Sequence, residues 1–75
     1  IGISTNDALG ANAKNIGMLL NTGRVFFVPF GQDNPGEKPN SLVAHMDFIV
    51  PTLENALMDR QIQPMIIERH LRQVR

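Results

Sequence analysis

Four consecutive apolar β-formers, Val25-Phe26-Phe27-Val28, stop at Pro29 and give way to Phe30-Gly31-Gln32-Asp33-Asn34-Pro35, a polar run with a glycine in it. Apolar residues side by side, without alternation, fit a strand covered on both faces, as in a parallel sheet. That points to an α/β architecture. In open α/β sheets, ligands collect in the crevice at the carboxyl ends of strands, where the chain order reverses. Phe30 to Asn34 is therefore the expected ligand-facing edge.

Length and composition narrow the class further. Seventy-five residues make at most one domain, and a chain this short buries only about 60% of its unfolded surface. It has no cysteine, which excludes disulfides, thiolate chemistry and cysteine-based metal sites. Seven basic residues balance seven acidic ones, leaving no electrostatic footprint for nucleic acid or an anionic membrane. Apolar runs such as Met18 to Leu20 and Phe48 to Val50 are too short to span a bilayer. A cytoplasmic protein is expected. The chain opens on the strand-like Ile1-Gly2-Ile3 without an initiator methionine, which suggests a fragment.

In order along the chain, Ile1 to Thr5 reads as the end of a buried strand, followed by the capping-competent Ser4-Thr5-Asn6-Asp7. Leu9, Ala13, Ile16 and Leu20 recur at helical spacing, and Gly23 can end that helix, so a helix is predicted over 8–22. From Pro29 to Asn40 come three prolines and two glycines, the mark of a long loop. Leu42, Val43 and Met46, then Phe48 to Leu57, predict two helical pieces over 41–48 and 51–59, with Pro51 in a first turn. Met65-Ile66-Ile67 can be a short strand or the start of a terminal helix. Ile67, Leu71 and Val74 give residues 65–75 the pattern of a docking tail onto a partner or another copy.

Several residues are candidates for chemistry, each with a structural alternative. Ser4-Thr5-Asn6 can bind ligand oxygens at a strand end, or simply cap a helix. Asn15 can face a ligand or satisfy itself at the edge of a buried face. Phe30, Gly31, Gln32 and Asp33 can meet a substrate or form a solvated turn. Lys38 with Asn40-Ser41 suits an anionic ligand. Ser41 and His45 would share a helix face, but no orienting acid or oxyanion hole is evident. No metal-ligand spacing, P-loop or dinucleotide fingerprint is present.

Taken together, these residues resemble the C-terminal part of the flavoprotein family that includes flavin-dependent cysteine decarboxylases and flavin prenyltransferases. The resemblance rests on a strand end with Asn6, a helix with Asn15-Ile16, Gly23, and a strand from Val25 closed by Pro29. Gly31-Gln32-Asp33-Asn34-Pro35, Lys38-Pro39-Asn40-Ser41-Leu42-Val43-Ala44 and Gln61-Ile62-Gln63-Pro64 look most like members from spore-forming bacteria. Those members form one subunit of a dicarboxylate-oxidising enzyme. The resemblance implies the C-terminal half of a Rossmann-like, flavodoxin-type three-layer sandwich with parallel strands. It implies FMN as a cofactor, facing Ser4, Thr5, Asn6 and Asn15, with NADP supplied through a partner subunit. It implies a small dicarboxylate substrate approached by Phe30, Gly31, Gln32, Asp33 and Lys38. Assembly with further copies of itself, and with a second, nicotinamide-binding subunit, follows on the same basis, and this chain alone is expected to be inactive. A non-catalytic, oligomerising part of such a domain is an alternative reading. So is a decarboxylase or prenyltransferase, although the decarboxylases use a cysteine near the C-terminus that is absent here.

Overall fold

Phe27 is completely enclosed, and the rest of the fold is laid around it. The computed structural model describes residues 1–67. Ile3, Ala8, Phe30 and Leu42 form the core with Phe27, while Ile16, Val25 and Met65 pack against its rim. The Phe27 and Phe30 rings sit 6.0 Å apart, inclined at 53°, within the range in which tilted aromatic pairs attract.

The named strands are short: β1 (Ser4–Thr5), β2 (Phe30–Gly31) and β3 (Leu42–Ala44). They form one sheet in the order β1-β3-β2. Both pairs are antiparallel, with Ser4 opposite Val43 and Phe30 opposite Ala44. The sequence predicts parallel strands, and the described sheet departs from that. The reason is β3, which returns from the long loop and lies between the other two. Parallel pairing survives beside it. Ile1 donates its amino group to Phe26 O at 2.7 Å, and Val28 N–H donates to Ile1 O at 2.8 Å. That alternation about Phe27 is a parallel rung. A second parallel bridge joins Phe30 to Ile66.

Val25 to Val28 is buried progressively toward Pro29, as its composition predicts, without being part of a named strand. Its backbone is held by Ile1 at Phe26 and Val28 and by Gln61 at Phe27. The Gln61 Oε1 accepts the Phe27 N–H at 2.7 Å, and the Gln61 Nε2 donates to Phe27 O at 2.7 Å and to Ile62 O at 3.0 Å. One side chain thus does what a neighbouring strand would do.

The helices differ from expectation in ways the backbone explains. α1 spans Ala13–Asn21 rather than starting near residue 8. Residues 6–12 form turns, closed by Gly10 N–H and Asn12 N–H donating to Asp7 O at 3.0 and 3.1 Å. The polar run before it staples this turn instead of capping the helix. Thr5 Oγ1 and Asn12 Nδ2 both donate to Asp7 Oδ1, at 2.7 and 2.8 Å. Gly23 does lie just past the helix with φ +73°, as a C-terminal glycine should.

The predicted helix over 41–48 is a correction. Its first half is β3, and only Met46–Phe48 coil, as a 3-10 turn leading into α2 (Ile49–Ala56). Pairing on both sides of β3 overrides helical spacing there: Ala44 N–H donates to Ile3 O at 2.7 Å and His45 N–H to Pro29 O at 2.8 Å. Pro51 occupies the first turn of α2, where a missing N–H is harmless. α2 ends in a Schellman motif. Arg60 N–H reaches Asn55 O at 2.9 Å, Asp59 N–H reaches Ala56 O at 2.8 Å, and Asp59 takes the left-handed φ of 60° usually given to glycine. Met46, Val50, Leu53 and Leu57 recur along its outer side, all exposed, Leu57 to 88%. Residues 68–75, and with them most of the predicted tail, lie outside the described residues.

Candidate functional site

β1 and the loop after β2 approach each other because β3 pairs with both. Between them lies an open cleft of about 420 Å³. Ser4, Thr5 and Asn6 line one side, while Asp33, Lys38 and Ser41 line the other, with Leu42 and Val43 of β3 completing it. Five of the sequence-predicted residues therefore meet: Ser4, Thr5, Asn6, Asp33 and Lys38. They come from segments some thirty residues apart.

The loop that carries Asp33 and Lys38 is fastened to itself. Lys38 N–H donates to Asn34 O at 2.6 Å, and Ser41 N–H donates to Lys38 O at 3.1 Å. Gln32 Nε2 spans the loop to Pro39 O at 2.9 Å. Leu9 N–H bonds to Asn40 O at 2.9 Å, tying the loop to the turn before α1. A long loop held at this many points presents its polar side chains in fixed places.

The other predicted residues do different work. Phe30 is a core residue, and Gly31 is buried beneath the Ile67 backbone. Gln32 braces the loop. Asn15 is exposed on α1, where its Nδ2 donates to Asn12 Oδ1 at 3.1 Å. None of the four lines the cleft. Ser41 and His45 do not share a helix, since β3 separates them. The His45 ring instead lies 5.7 Å from that of Phe48. Among the described residues, no group of three or more His, Cys, Asp or Glu side chains could hold a metal. None of their helices is long and apolar enough to cross a membrane.

Ser41, expected with Lys38 and Asn40 to suit an anionic ligand, also lines the cleft, whereas Asn40 does not. Ser41 is only 3% exposed, and its hydroxyl donates to Asp33 Oδ1 at 3.0 Å, with Asn6 Oδ1 at 3.5 Å. Its partners Asp33 and Asn6 are apparent only once β3 brings it beside β1.

Two carboxyls are shifted by these contacts. The Ser41 hydroxyl holds Asp33 below the ordinary aspartate value of 3.8, with Lys38 adding a smaller effect in the same direction. The Thr5 and Asn12 side chains do the same for Asp7. A carboxyl with a depressed folded pKa contributes stability that is present above the unfolded pKa and lost as pH falls through the folded one. The urea midpoint should therefore be level from neutrality down to about pH 5 and decline below about pH 4. The double variant Asp7→Asn, Asp33→Asn should flatten that decline. An identical acid limb in the variant would show that other groups govern it.

Comparison with known proteins gives the same direction as the loop motifs. The chain is 54% identical over 70 residues to the B subunit of dipicolinate synthase from Bacillus subtilis (strain 168), a match covering 93% of this chain and 35% of that protein. The crystal structure of the dipicolinate synthase B subunit from Bacillus halodurans C superposes with a TM-score of 0.86 at 58% identity, covering 89% of this chain and 34% of that one. The chain thus spans about a third of the length of these relatives. No protein-family model matches it.

Proposed function

We propose that this chain is the C-terminal part of the B subunit of a dipicolinate synthase, and that its cleft contributes to the substrate site of that enzyme. The reaction is the oxidation of a hydroxylated tetrahydrodipicolinate to dipicolinate, in the mother-cell cytoplasm of sporulating bacteria. The observation that carries this reading is the meeting of Asn6, Asp33, Lys38 and Ser41 in one cleft, within a chain 54% identical to such a protein. The Lys38 ammonium suits a carboxylate of the substrate, and the hydroxyl and amide side chains opposite suit its remaining polar atoms. The chain forms one part of a flavoprotein-like domain, Rossmann-like in its complete form, and has no activity without the rest.

The oxidising equivalents come from NADP held by the A subunit of dipicolinate synthase. FMN fits this cleft poorly. An isoalloxazine ring needs flat apolar surface, and the lining is hydroxyl, amide, carboxylate and ammonium, with only Leu42 and Val43 apolar.

The test uses the complete B subunit reconstituted with its nicotinamide-binding partner. Lys38→Ala should raise KM for the dicarboxylate about tenfold and leave kcat within about twofold, the pattern of lost uniform binding. An unchanged KM would remove the cleft from the substrate site.

A second role, assembly with further copies, is favoured by the exposed row Met46, Val50, Leu53 and Leu57 running from the 3-10 turn along α2 to its C-cap. A row of this kind is normally covered in the working protein.

A further inference from the structure

Ser41 is nearly inaccessible, yet its side chain stands at the meeting point of the two sides of the cleft. A serine hydroxyl has one proton to give. Asp33 Oδ1 at 3.0 Å is the nearer acceptor and the charged one, whereas Asn6 Oδ1 stands at 3.5 Å. The proton therefore belongs to Asp33. That bond fixes the carboxylate at the lining of the cleft, and Asn6 Oδ1 stays an acceptor beside it. Lys38, on the same loop, is the cation of the set.

Such an arrangement discriminates between anionic ligands. A bare dicarboxylate is drawn by Lys38 but meets Asp33 as a like charge. A dicarboxylate that also bears a hydroxyl turns the same Asp33 into a charged hydrogen-bond acceptor. We propose that Ser41 is a positioning residue, holding Asp33 beside Asn6 so that the cleft prefers a dicarboxylate with a hydroxyl donor over one without. This rests on the reading of the cleft as a dicarboxylate site.

The experiment is calorimetric titration of the complete protein with two probes, pyridine-2,6-dicarboxylate and its 4-hydroxy derivative. The unsubstituted protein should bind the hydroxylated probe about tenfold more tightly, the usual scale for one hydrogen bond to a charged group. Ser41→Ala should bring the two probes to within about twofold, and Ser41→Thr, which keeps the hydroxyl, should restore the preference. Asp33→Asn changes an exposed side chain and should lose the preference as Ser41→Ala does, which covers the case of an unfolded Ser41 variant. Lys38→Ala should weaken both probes alike. Equal binding of the two probes by the unsubstituted protein, or a preference that survives Ser41→Ala, would overturn the role of Ser41 alone. Failure of both probes to bind at all would overturn the dicarboxylate reading, and this inference with it.

Discussion

Gly31→Ala is expected to destabilise the protein by about 3–5 kcal/mol, a large share of the 5–15 kcal/mol that holds a typical domain together. The cause is space. A Cβ at residue 31 would overlap the carbonyl oxygen of Ile67, a backbone atom that cannot rotate away. Relief requires the Met65–Ile67 segment to move off the sheet. That breaks Phe30 N–H to Met65 O, at 2.9 Å, and Ile67 N–H to Phe30 O, at 2.8 Å. Two backbone bonds at about 1 kcal/mol each, with overpacking of about 1–3 kcal/mol, give the stated range. Urea denaturation with Gly36→Ala as the control decides it, because a Cβ at residue 36 meets nothing within 4 Å. Equal stability of the two variants would mean that Met65–Ile67 does not lie against Gly31.

Phe27→Ala should be comparably severe, at about 3–5 kcal/mol. The side chain is wholly buried, and its loss leaves Phe30 without its ring partner and Ile3 and Leu42 without their common neighbour. The backbone bonds to Gln61 do not depend on the side chain. Phe27→Leu therefore separates the two contributions: it keeps most of the volume and should cost less than about 1.5 kcal/mol. Thermal or urea unfolding of both variants tests this. A Phe27→Ala loss below about 1 kcal/mol would place the centre of the core elsewhere.

What could be read in advance was whatever depends on local chemistry. The unbroken apolar run Val25–Val28 was legible as buried, Gly23 as a left-handed helix end, and Pro51 as a first-turn residue, because each meaning is set by the residue itself and its neighbours. β3 was not legible. Leu42, Val43 and Met46 have a spacing that suits a helix, and only the vacant positions between β1 and β2 make residues 42–44 a strand. α1 begins late for a related reason: the Asp7 carboxylate gathers Thr5 and Asn12 into a turn, a cluster that no periodicity reports.

The same division runs through the site. Ser4, Thr5, Asn6, Asp33 and Lys38 were legible because polar residues at strand ends and in proline-bounded loops face outward. Phe30 and Gly31, at the start of that loop, were drawn into the sheet by pairing with Ala44 and Val43. Ser41 was legible as a neighbour of Lys38, but its place beside Asn6, 35 residues earlier in the chain, was not.

The Gln61 carboxamide has a consequence for how this protein is made. Val25 to Val28 has the composition of a segment that recruits other chains into cross-β aggregates: apolar, uncharged and rich in β-formers. In the finished fold, Gln61 occupies the Phe27 donor and acceptor and denies them to a stray strand. The plug lies 34 residues downstream of the groups it protects, so at ribosomal speeds of about 5–20 residues per second it emerges about 2–7 s after them. During that interval the Phe27 donor and acceptor lack the side chain that occupies them in the finished fold.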